Sequence, residues 1–127
     1  MALKHLLSIR GLSGPYIQEL LKKTTELKRD PRKQRQSLAG RTLGLLFQKP
    51  SVRTRISFEV GMAQLGGQAL YMGPLETGGS KREATKDLAR VLSRFLDGIV
   101  ARTFSQKEIE ELADVASIPV INGLSDA

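Results

Sequence analysis

Residues that could bind a compact anion lie directly after an apolar segment in the first half of the chain. Ser51, Arg53 and Thr54 fall within residues 48–55, whose sequence is QKPSVRTR. Two hydroxyl groups three positions apart lie on one side of a helix, and an arginine offers a planar fork of N–H donors that suits phosphate oxygens. If a helix begins after Ser51, the unpaired backbone N–H groups of its first turn, from Val52 onward, also favour an anion. The pattern predicts a phosphate site, although a simple helix cap beside solvated arginines fits the same residues.

Arg102 is a second candidate for the same site. It directly follows the apolar segment 99–101, which is predicted to be a strand. If that strand lies beside the one that precedes Ser51, Arg102 and the helix start converge on one small pocket; an exposed arginine at a strand end fits the spacing equally well. Arg55 has a different expected role, because it lies four residues before Glu59 and is placed for an ion pair along the helix.

Short apolar segments alternate with amphipathic ones along the chain, and this alternation predicts an α/β fold. Four segments are predicted strands: 42–47, 68–72, 97–101 and 118–121. Ser13, Ser51 and Ser105 are placed to cap helices, and residues 80–83 have the spacing of a capping box. Strands that alternate with helices form parallel sheets with right-handed crossovers, and such sheets bind ligands beyond the carboxyl ends of their strands.

The positions of the apolar residues also predict which helix faces are buried. The helix after Ser51 carries two apolar stripes and is therefore expected to be largely buried. The first helix shows a single apolar stripe between Ile17 and Leu27. The helix that follows residues 80–83 has a predicted core face made of four residues: Leu88, Val91, Leu92 and Phe95.

Composition excludes several classes of protein. The chain has 127 residues, a length typical of one domain, and its 40% hydrophobic and 26% charged residues are typical of a globular protein. It contains no cysteine and one histidine, His5, which excludes a disulfide scaffold and a thiol nucleophile and argues against a metal cluster. Neither the P-loop nor the G-x-G-x-x-G motif is present, and no apolar run approaches the roughly 20 residues of a membrane span. With no recognisable signal peptide, a cytoplasmic protein is expected.

A formal net charge of +7 predicts an anionic partner. Seven of the basic residues lie between positions 22 and 35. This run contains no aromatic residue, and aromatic residues make up only 5% of the chain, so there is little that could stack on bases. A solvated helix end is therefore favoured over a nucleic-acid-binding surface, and a small anionic metabolite is the expected ligand.

The segments around these candidates are similar to those of a known family. Residues 47–59, FQKPSVRTRISFE, resemble the carbamoyl-phosphate motif of the aspartate/ornithine carbamoyltransferase family. Lys49, the glycine pair 66–67 and residues 122–124 are more similar to the ornithine branch than to the aspartate branch. The resemblance covers nearly the whole chain and includes these further segments: 61–67, 70–71, 87–94, 97–104 and 119–126.

The resemblance implies a two-domain enzyme, of which residues 1–127 would form the carbamoyl-phosphate-binding domain. That domain is expected to have three layers, with helices on both faces of a four-stranded parallel sheet in the order 2-1-3-4. The implied enzyme is a homotrimer with active sites between subunits, and it needs no metal ion or organic cofactor. It transfers a carbamoyl group from carbamoyl phosphate to the side-chain amine of ornithine, giving citrulline and phosphate in arginine biosynthesis. No nucleic-acid or membrane partner is implied.

The resemblance also assigns roles to individual residues. Ser51, Arg53 and Thr54 would hold the phosphate, together with backbone N–H groups from Val52 onward. Arg102 would contact both the carbamoyl oxygen and the phosphate, with help from Thr54. Fixed donors aimed at that oxygen would stabilise the negative charge that grows on it as the amine attacks.

The chain departs from the family pattern at three places. Val52 stands where the family usually has threonine, and Gly78 where the ornithine branch has a glutamine, with Thr77 and Lys81 nearby as substitutes. The sequence stops before the family's His-Pro-x-Gln motif, so the amino-acid-binding domain is expected to be absent and the isolated chain inactive. Two alternatives stay open: a branch that uses aspartate or another acceptor, and a non-catalytic phosphate-binding fragment of the same fold.

Overall fold

The structure, a computed structural model, describes residues 4–73, 82–103 and 105–125. Its strands are β1 (Thr42–Phe47), β2 (Gln68–Met72), β3 (Gly98–Arg102) and β4 (Val120–Leu124). Its helices are α1 (Gly14–Arg29), α2 (Val52–Gln64), α3 (Arg82–Phe95) and α4 (Gln106–Val115), and a 3₁₀ turn, Pro31–Gln34, follows α1. The strands form one parallel sheet in the order β2-β1-β3-β4, which confirms the predicted fold class and strand order. Within the described ranges, no helix is long and apolar enough to cross a membrane.

The larger part of the core lies on one face of the sheet. Leu46 of β1 and Ile99 and Ala101 of β3 are buried there against Ile109 and Leu112 of α4, and α3 packs beside α4 on the same face. Alternate residues of a strand point to opposite faces, so the neighbouring residues of β1 and β3 belong to the other face. The central strands are apolar on both sides, as expected for a parallel sheet covered by helices.

A smaller cluster covers the second face. Leu45, Phe47 and Val100 are fully buried there, with Phe58 of α2 and Tyr71 of β2 packed against them. The rings of Phe47 and Tyr71 meet nearly at right angles, with their centroids 5.6 Å apart. Helices therefore cover both faces of the sheet, and the three-layer arrangement is confirmed.

The predicted helix caps are confirmed wherever the structure describes them. The Ser13 hydroxyl accepts the N–H of Tyr16 at 3.2 Å, and the Ser105 hydroxyl accepts the N–H of Glu108 at 3.3 Å. Gly66, with a φ of +89°, follows α2, and a side chain there would meet the Arg35 carbonyl oxygen at 2.8 Å. Ser80, the first residue of the predicted capping box before α3, lies outside the described residues.

The prediction that α2 is largely buried is wrong. Met62 is its one buried residue among those described, whereas Val52, Ile56 and Val60 are 71%, 51% and 48% exposed. The sequence contains two apolar stripes, but the sheet presents only one surface to the helix, and Phe58 packs against that surface. The second stripe therefore faces outward.

The predicted core face of α3 is also partly wrong. Val91 is 54% exposed and Phe95 is 77% exposed, while the helix contributes Ala89, which is fully buried, and Leu92 to the core. Successive residues turn by about 100° around a helix. The small residue Ala89 lies at the centre of the buried side of α3. The buried face is therefore turned away from the large apolar residues Val91 and Phe95.

The N-terminal segment runs alongside β4, which begins two residues later than predicted. The N–H of Leu6 donates to the Val120 carbonyl at 2.9 Å, and the N–H of Asn122 donates to the Leu6 carbonyl at 2.8 Å. Nδ1 of His5 accepts the N–H of Val120 at 3.0 Å. Burial lowers the pKa of His5 below 6.5, and the charge of Lys4 lowers it further, while that of Asp114 opposes the shift.

Acidification should release this segment from β4. A protonated Nδ1 cannot accept a hydrogen bond. Because the pKa of folded His5 lies below its ordinary value of 6.5, the stabilisation that it provides is complete above that value and is lost as the pH falls through the lowered pKa. We expect the hydrogen-exchange protection factors of Leu6, Val120 and Asn122 to fall as the pH decreases below 6.5. His5→Gln should abolish this pH dependence; an unchanged pH profile in that variant would contradict the assignment.

Candidate phosphate-binding site

The sheet topology creates a crevice at the carboxyl ends of β1 and β3. From β1 the chain passes through α2 to β2 on one side, and from β2 it passes through α3 to β3 on the other side of β1. The two connecting helices therefore lie on opposite faces, and the strand order reverses between β1 and β3. Parallel α/β sheets bind ligands at such reversal points.

Both candidate groups of residues lie at this crevice. Phe47, the last residue of β1, pairs with Arg102, and the N–H of Gln48 donates to the Arg102 carbonyl at 2.8 Å. The predicted adjacency of the two strands is thus confirmed. Arg102 lies at the same edge of the sheet as the loop that leads to Ser51, although it is the last residue of β3 rather than the first residue after it.

The start of α2 leaves backbone donors for a ligand. Ser51 is extended, with φ −156° and ψ 103°, and its hydroxyl oxygen accepts the N–H of Thr54 at 3.4 Å. Among the described residues, the N–H groups of Val52 and Arg53 have no acceptor. The sequence pattern predicted three amides for an anion; in this structure two are free and the third is held weakly by the capping serine. Ser51 and Thr54 are half-buried, whereas Val52 and Arg53 are exposed.

The two arginines of the motif differ in their surroundings. Within the described part of the chain, no carboxylate pairs with the Arg53 guanidinium, which is exposed beside the start of α2. Nε of Arg55 instead contacts Oε1 of Glu59 at 2.9 Å, and its guanidinium carbon lies 3.8 Å from the centre of the Tyr71 ring. The predicted structural role of Arg55 is confirmed, since it joins α2 to β2. The guanidinium of Arg53 is therefore available to bind a ligand.

Arg102 has an unsatisfied donor. It is half-buried, and its Nη1 donates to the Gly123 carbonyl at a long 3.4 Å. Its Nε is buried without a partner among the residues that the structure describes. A buried donor left unpaired costs about 1–3 kcal/mol, and more on a charged group. Arg102 is therefore a cation with an unpaired donor, among the described residues, at the edge of the sheet where the loop to α2 begins.

The carboxyl end of β4 positions Arg102, which sequence reasoning missed. A side chain at position 123 would come within 2.9 Å of the Val100 side chain, so Gly123 lets β4 approach closely enough for its carbonyl to reach Arg102. The pairing of β3 with β4 shifts between Ala101 and Arg102, and Leu124 has a φ of +127°, which is unusual for this residue type. The only signal in the sequence was a glycine near a strand end.

A side-chain network fixes this end of β4. The Asn122 amide nitrogen donates to the Leu7 carbonyl at 2.9 Å and to Oε1 of Gln106 at 3.0 Å, and its amide oxygen accepts the N–H of Leu124 at 2.8 Å. The Ser125 hydroxyl donates to the same oxygen of Gln106 at 2.7 Å. These contacts join the N-terminal segment, α4 and β4 behind Arg102, and no local sequence pattern indicated them.

The structure places the predicted site residues in two groups. Ser51, Val52, Arg53 and Thr54 lie in one helix turn, with the Val52 side chain pointing outward, and Arg102 lies across the crevice on β3. Gly78, Thr77 and Lys81, which the resemblance implicated in a shared site, lie outside the described residues.

The chain is similar to known proteins over nearly its whole length. Residues 4–127 match the aspartate/ornithine carbamoyltransferase, carbamoyl-P binding domain. A curated relative named ornithine carbamoyltransferase, from Desulfotalea psychrophila, is 47% identical over 124 residues, which are 96% of this chain and 41% of the relative. The chain thus spans about two-fifths of the length of the curated relatives that it matches from end to end.

Solved structures show the same fold. The ornithine carbamoyltransferase of Thermus thermophilus is similar with a TM-score of 0.89 and 42% identity, over 99% of this chain and 44% of that chain. An N-acetyl-L-ornithine transcarbamylase is similar with a TM-score of 0.83 and 30% identity, over 97% of this chain and 43% of that chain. The match over residues 4–127 and the similarity to solved structures show that the chain belongs to the aspartate/ornithine carbamoyltransferase family.

Proposed function

We propose that residues 1–127 form the carbamoyl-phosphate-binding domain of an ornithine carbamoyltransferase. The observation that carries this proposal is the crevice between β1 and β3. There the start of α2 and the side chain of Arg102 lie at the ends of two adjacent strands, and the described residues leave two amides of the helix start and the Nε of Arg102 without acceptors. The crevice contains cations from two separate elements, which suits a compact dianion such as carbamoyl phosphate.

The reaction that this site would serve needs little chemistry from the protein. The side-chain amine of ornithine attacks the carbamoyl carbon, the C–O bond to phosphate breaks with its electron pair leaving on phosphate, and the amine loses a proton. The products are citrulline and phosphate. Ser51, Arg53 and the free amides would bind the phosphate and stabilise it as the leaving group. Holding both substrates together would supply much of the rate enhancement.

Arg102 and Thr54 would stabilise the carbamoyl oxygen. Negative charge grows on this oxygen as the amine attacks, and each fixed donor aimed at it is worth about 3 kcal/mol in comparable sites. The Gly123 carbonyl and the network around Asn122 support an arginine that is held in place before substrate binds. Neither a metal ion nor an organic cofactor has a role in the proposed reaction.

Val52 is compatible with this function. Its side chain is 71% exposed, and its backbone N–H is retained whatever the side chain. Valine in place of the family's usual threonine therefore removes one hydroxyl group and leaves the main-chain donor. We expect its effect on phosphate binding to be modest.

The whole enzyme would be a cytoplasmic homotrimer of arginine biosynthesis, with the acceptor-binding domain in the part of its length that this chain lacks. The exposed apolar stripe on α2 is an observation that supports a contact between subunits beside the site. Val52, Ile56 and Val60 are spaced four residues apart on one side of the helix that begins at the crevice. An apolar stripe that is exposed next to a polar site is typical of an interface.

A second candidate function differs in the acceptor. The likeness to an N-acetyl-L-ornithine transcarbamylase favours a modified ornithine as the second candidate, ahead of aspartate. A non-catalytic phosphate-binding fragment of the same fold would bind carbamoyl phosphate through the same residues without transferring the carbamoyl group. A nucleic-acid partner on residues 22–35 would show affinity that falls steeply with salt, whereas a small pocket is less sensitive.

Arg53→Ala should weaken carbamoyl phosphate binding. A hydrogen bond to a charged group is worth about 1.5–3 kcal/mol, which corresponds to about a tenfold to hundredfold rise in Kd. The measurement is an NMR titration of the chain with carbamoyl phosphate, and the amides of residues 52–54 should shift saturably. Arg90→Ala is the matched control, because it removes an exposed arginine on α3 whose only described partner is Asp87. Equal affinities for the two variants would refute the assignment of Arg53.

Arg102→Lys should also weaken binding although the charge is kept. Lysine has no Nε–H in a planar fork, so it cannot replace the unpaired donor of Arg102. We expect Kd for carbamoyl phosphate, measured by calorimetry, to rise about tenfold. Arg90→Lys should bind like the unsubstituted chain. Full affinity in Arg102→Lys would mean that only the charge matters and would remove the guanidinium from the proposed mechanism.

A further inference from the structure

The end of β4 contains a β-bulge that lies directly beside Arg102. Ala101 of β3 pairs with Asn122, whereas the next residue, Arg102, pairs with Leu124. Gly123 is therefore an extra residue on the β4 side of this pairing. A bulge interrupts the ladder locally and turns the groups of the extra residue in a new direction. Here the carbonyl of Gly123 accepts a hydrogen bond from Nη1 of Arg102 at 3.4 Å, so the bulge brings a main-chain acceptor to the guanidinium.

The backbone of the bulge is strained at Leu124. This residue has a φ of +127°, and among the described residues it is the one residue other than glycine with a positive φ. A residue with a Cβ disfavours this conformation, because the Cβ comes too close to the backbone. Such a conformation persists only where surrounding contacts hold it. The side chain of Leu124 is 58% exposed, so its packing contributes little to that hold.

The side chain of Asn122 makes the contact that holds the backbone of Leu124. Its amide oxygen accepts the N–H of Leu124 at 2.8 Å, which closes an Asx-turn over the bulge. Its amide nitrogen donates to the Leu7 carbonyl at 2.9 Å and to Oε1 of Gln106 at 3.0 Å. Both ends of this carboxamide are hydrogen-bonded, so the N-terminal segment and α4 fix the group that fixes the bulge.

We propose that Asn122 is a positioning residue for Arg102: its side chain holds the strained bulge, and the bulge presents the Gly123 carbonyl that orients the guanidinium. This inference rests on the proposed function, in which Arg102 binds carbamoyl phosphate. Within the described part of the chain, Nε of Arg102 has no partner and Nη1 has one long contact, so the orientation of the guanidinium depends on that carbonyl. Without Asn122, Leu124 would relax to a negative φ, the carbonyl would turn away, and the guanidinium would become mobile.

Substitutions at the exposed residue Leu124 test the strain directly. A β-branched residue tolerates a positive φ less well than leucine does, whereas glycine adopts it without strain. The measurement is the NMR order parameter of the Nε–H group of Arg102, which we expect to fall below about 0.6, the range of flexible groups, in Leu124→Val but not in Leu124→Gly. Leu70→Val is the matched control, because Leu70 is 50% exposed on the edge strand β2 and has no positive φ. An unchanged order parameter in Leu124→Val would overturn the proposal.

Asn122→Ala should mobilise Arg102 in the same way and raise Kd for carbamoyl phosphate, measured by calorimetry, about five- to tenfold. Adding Leu124→Gly should restore the order parameter of Arg102 and return Kd to within about threefold of its original value, because glycine needs no contact to adopt this φ. The double variant still lacks the contacts of Asn122 with Leu7 and Gln106, so a purely structural role of Asn122 would not be rescued. A folded double variant without rescue would refute the proposal. If Asn122→Ala does not fold, the comparison of Leu124→Val with Leu124→Gly decides.

The two readouts separate the positioning of Arg102 from the proposed function, since the order parameter needs no ligand. If the chain binds carbamoyl phosphate and Arg102 stays rigid in Leu124→Val and Asn122→Ala, the positioning role is overturned and the proposed function stands. If Arg102 becomes mobile in both variants of a chain that does not bind carbamoyl phosphate, the positioning role is supported and the proposed function fails. A mobile Arg102 with an unchanged Kd would show that its orientation does not matter to the ligand, and would overturn the proposal.

Discussion

The pairing of β1 with β3 is the constraint on which the candidate site depends. Parallel strands present their carboxyl ends at one edge, and the reversal of strand order at this pair sends α2 and α3 to opposite faces. The edge between them is left open. Because Phe47 and Arg102 are in register, a residue of β3 comes to lie beside the loop that starts α2. An arginine 49 positions further along the chain than Arg53 thus belongs to the same crevice.

The core that maintains this pairing is unevenly distributed. One face of the sheet is covered by α3 and α4 with a continuous set of buried residues, whereas the other face relies on Leu45, Phe47 and Val100 with Phe58 and Tyr71. The stacking of Arg55 on Tyr71 adds a polar link on this thinner side and anchors α2, whose first turn would bind the phosphate. Helix α2, which begins at the candidate site, is therefore fixed mainly by one aromatic cluster.

Local patterns in the sequence predicted most of the fold, because its caps and strands are determined by nearby residues. Ser13, Ser51 and Ser105 cap helices as predicted, and the Arg55–Glu59 pair forms at its helical spacing. The buried faces of α2 and α3 were predicted less well, because they depend on which side of each helix is turned toward the sheet. The contact of Arg102 with the Gly123 carbonyl joins residues 21 positions apart on different strands. Such a contact has no local signature, so only the structure reveals it.

The places where the prediction failed share a physical cause. Ile56 and Val60 on α2, and Leu20 on α1, lie on apolar stripes that predicted burial, because an apolar residue lowers the free energy when it is removed from water. The described residues offer these side chains no surface to cover them. Likewise the Nε of Arg102 is buried without an acceptor in the part of the chain that the structure describes. Apolar groups without cover and a buried cation without an anion are both unsatisfied, and they lie along α1, α2 and the crevice. Their common explanation is that the domain is shaped for contacts with a ligand and with further protein.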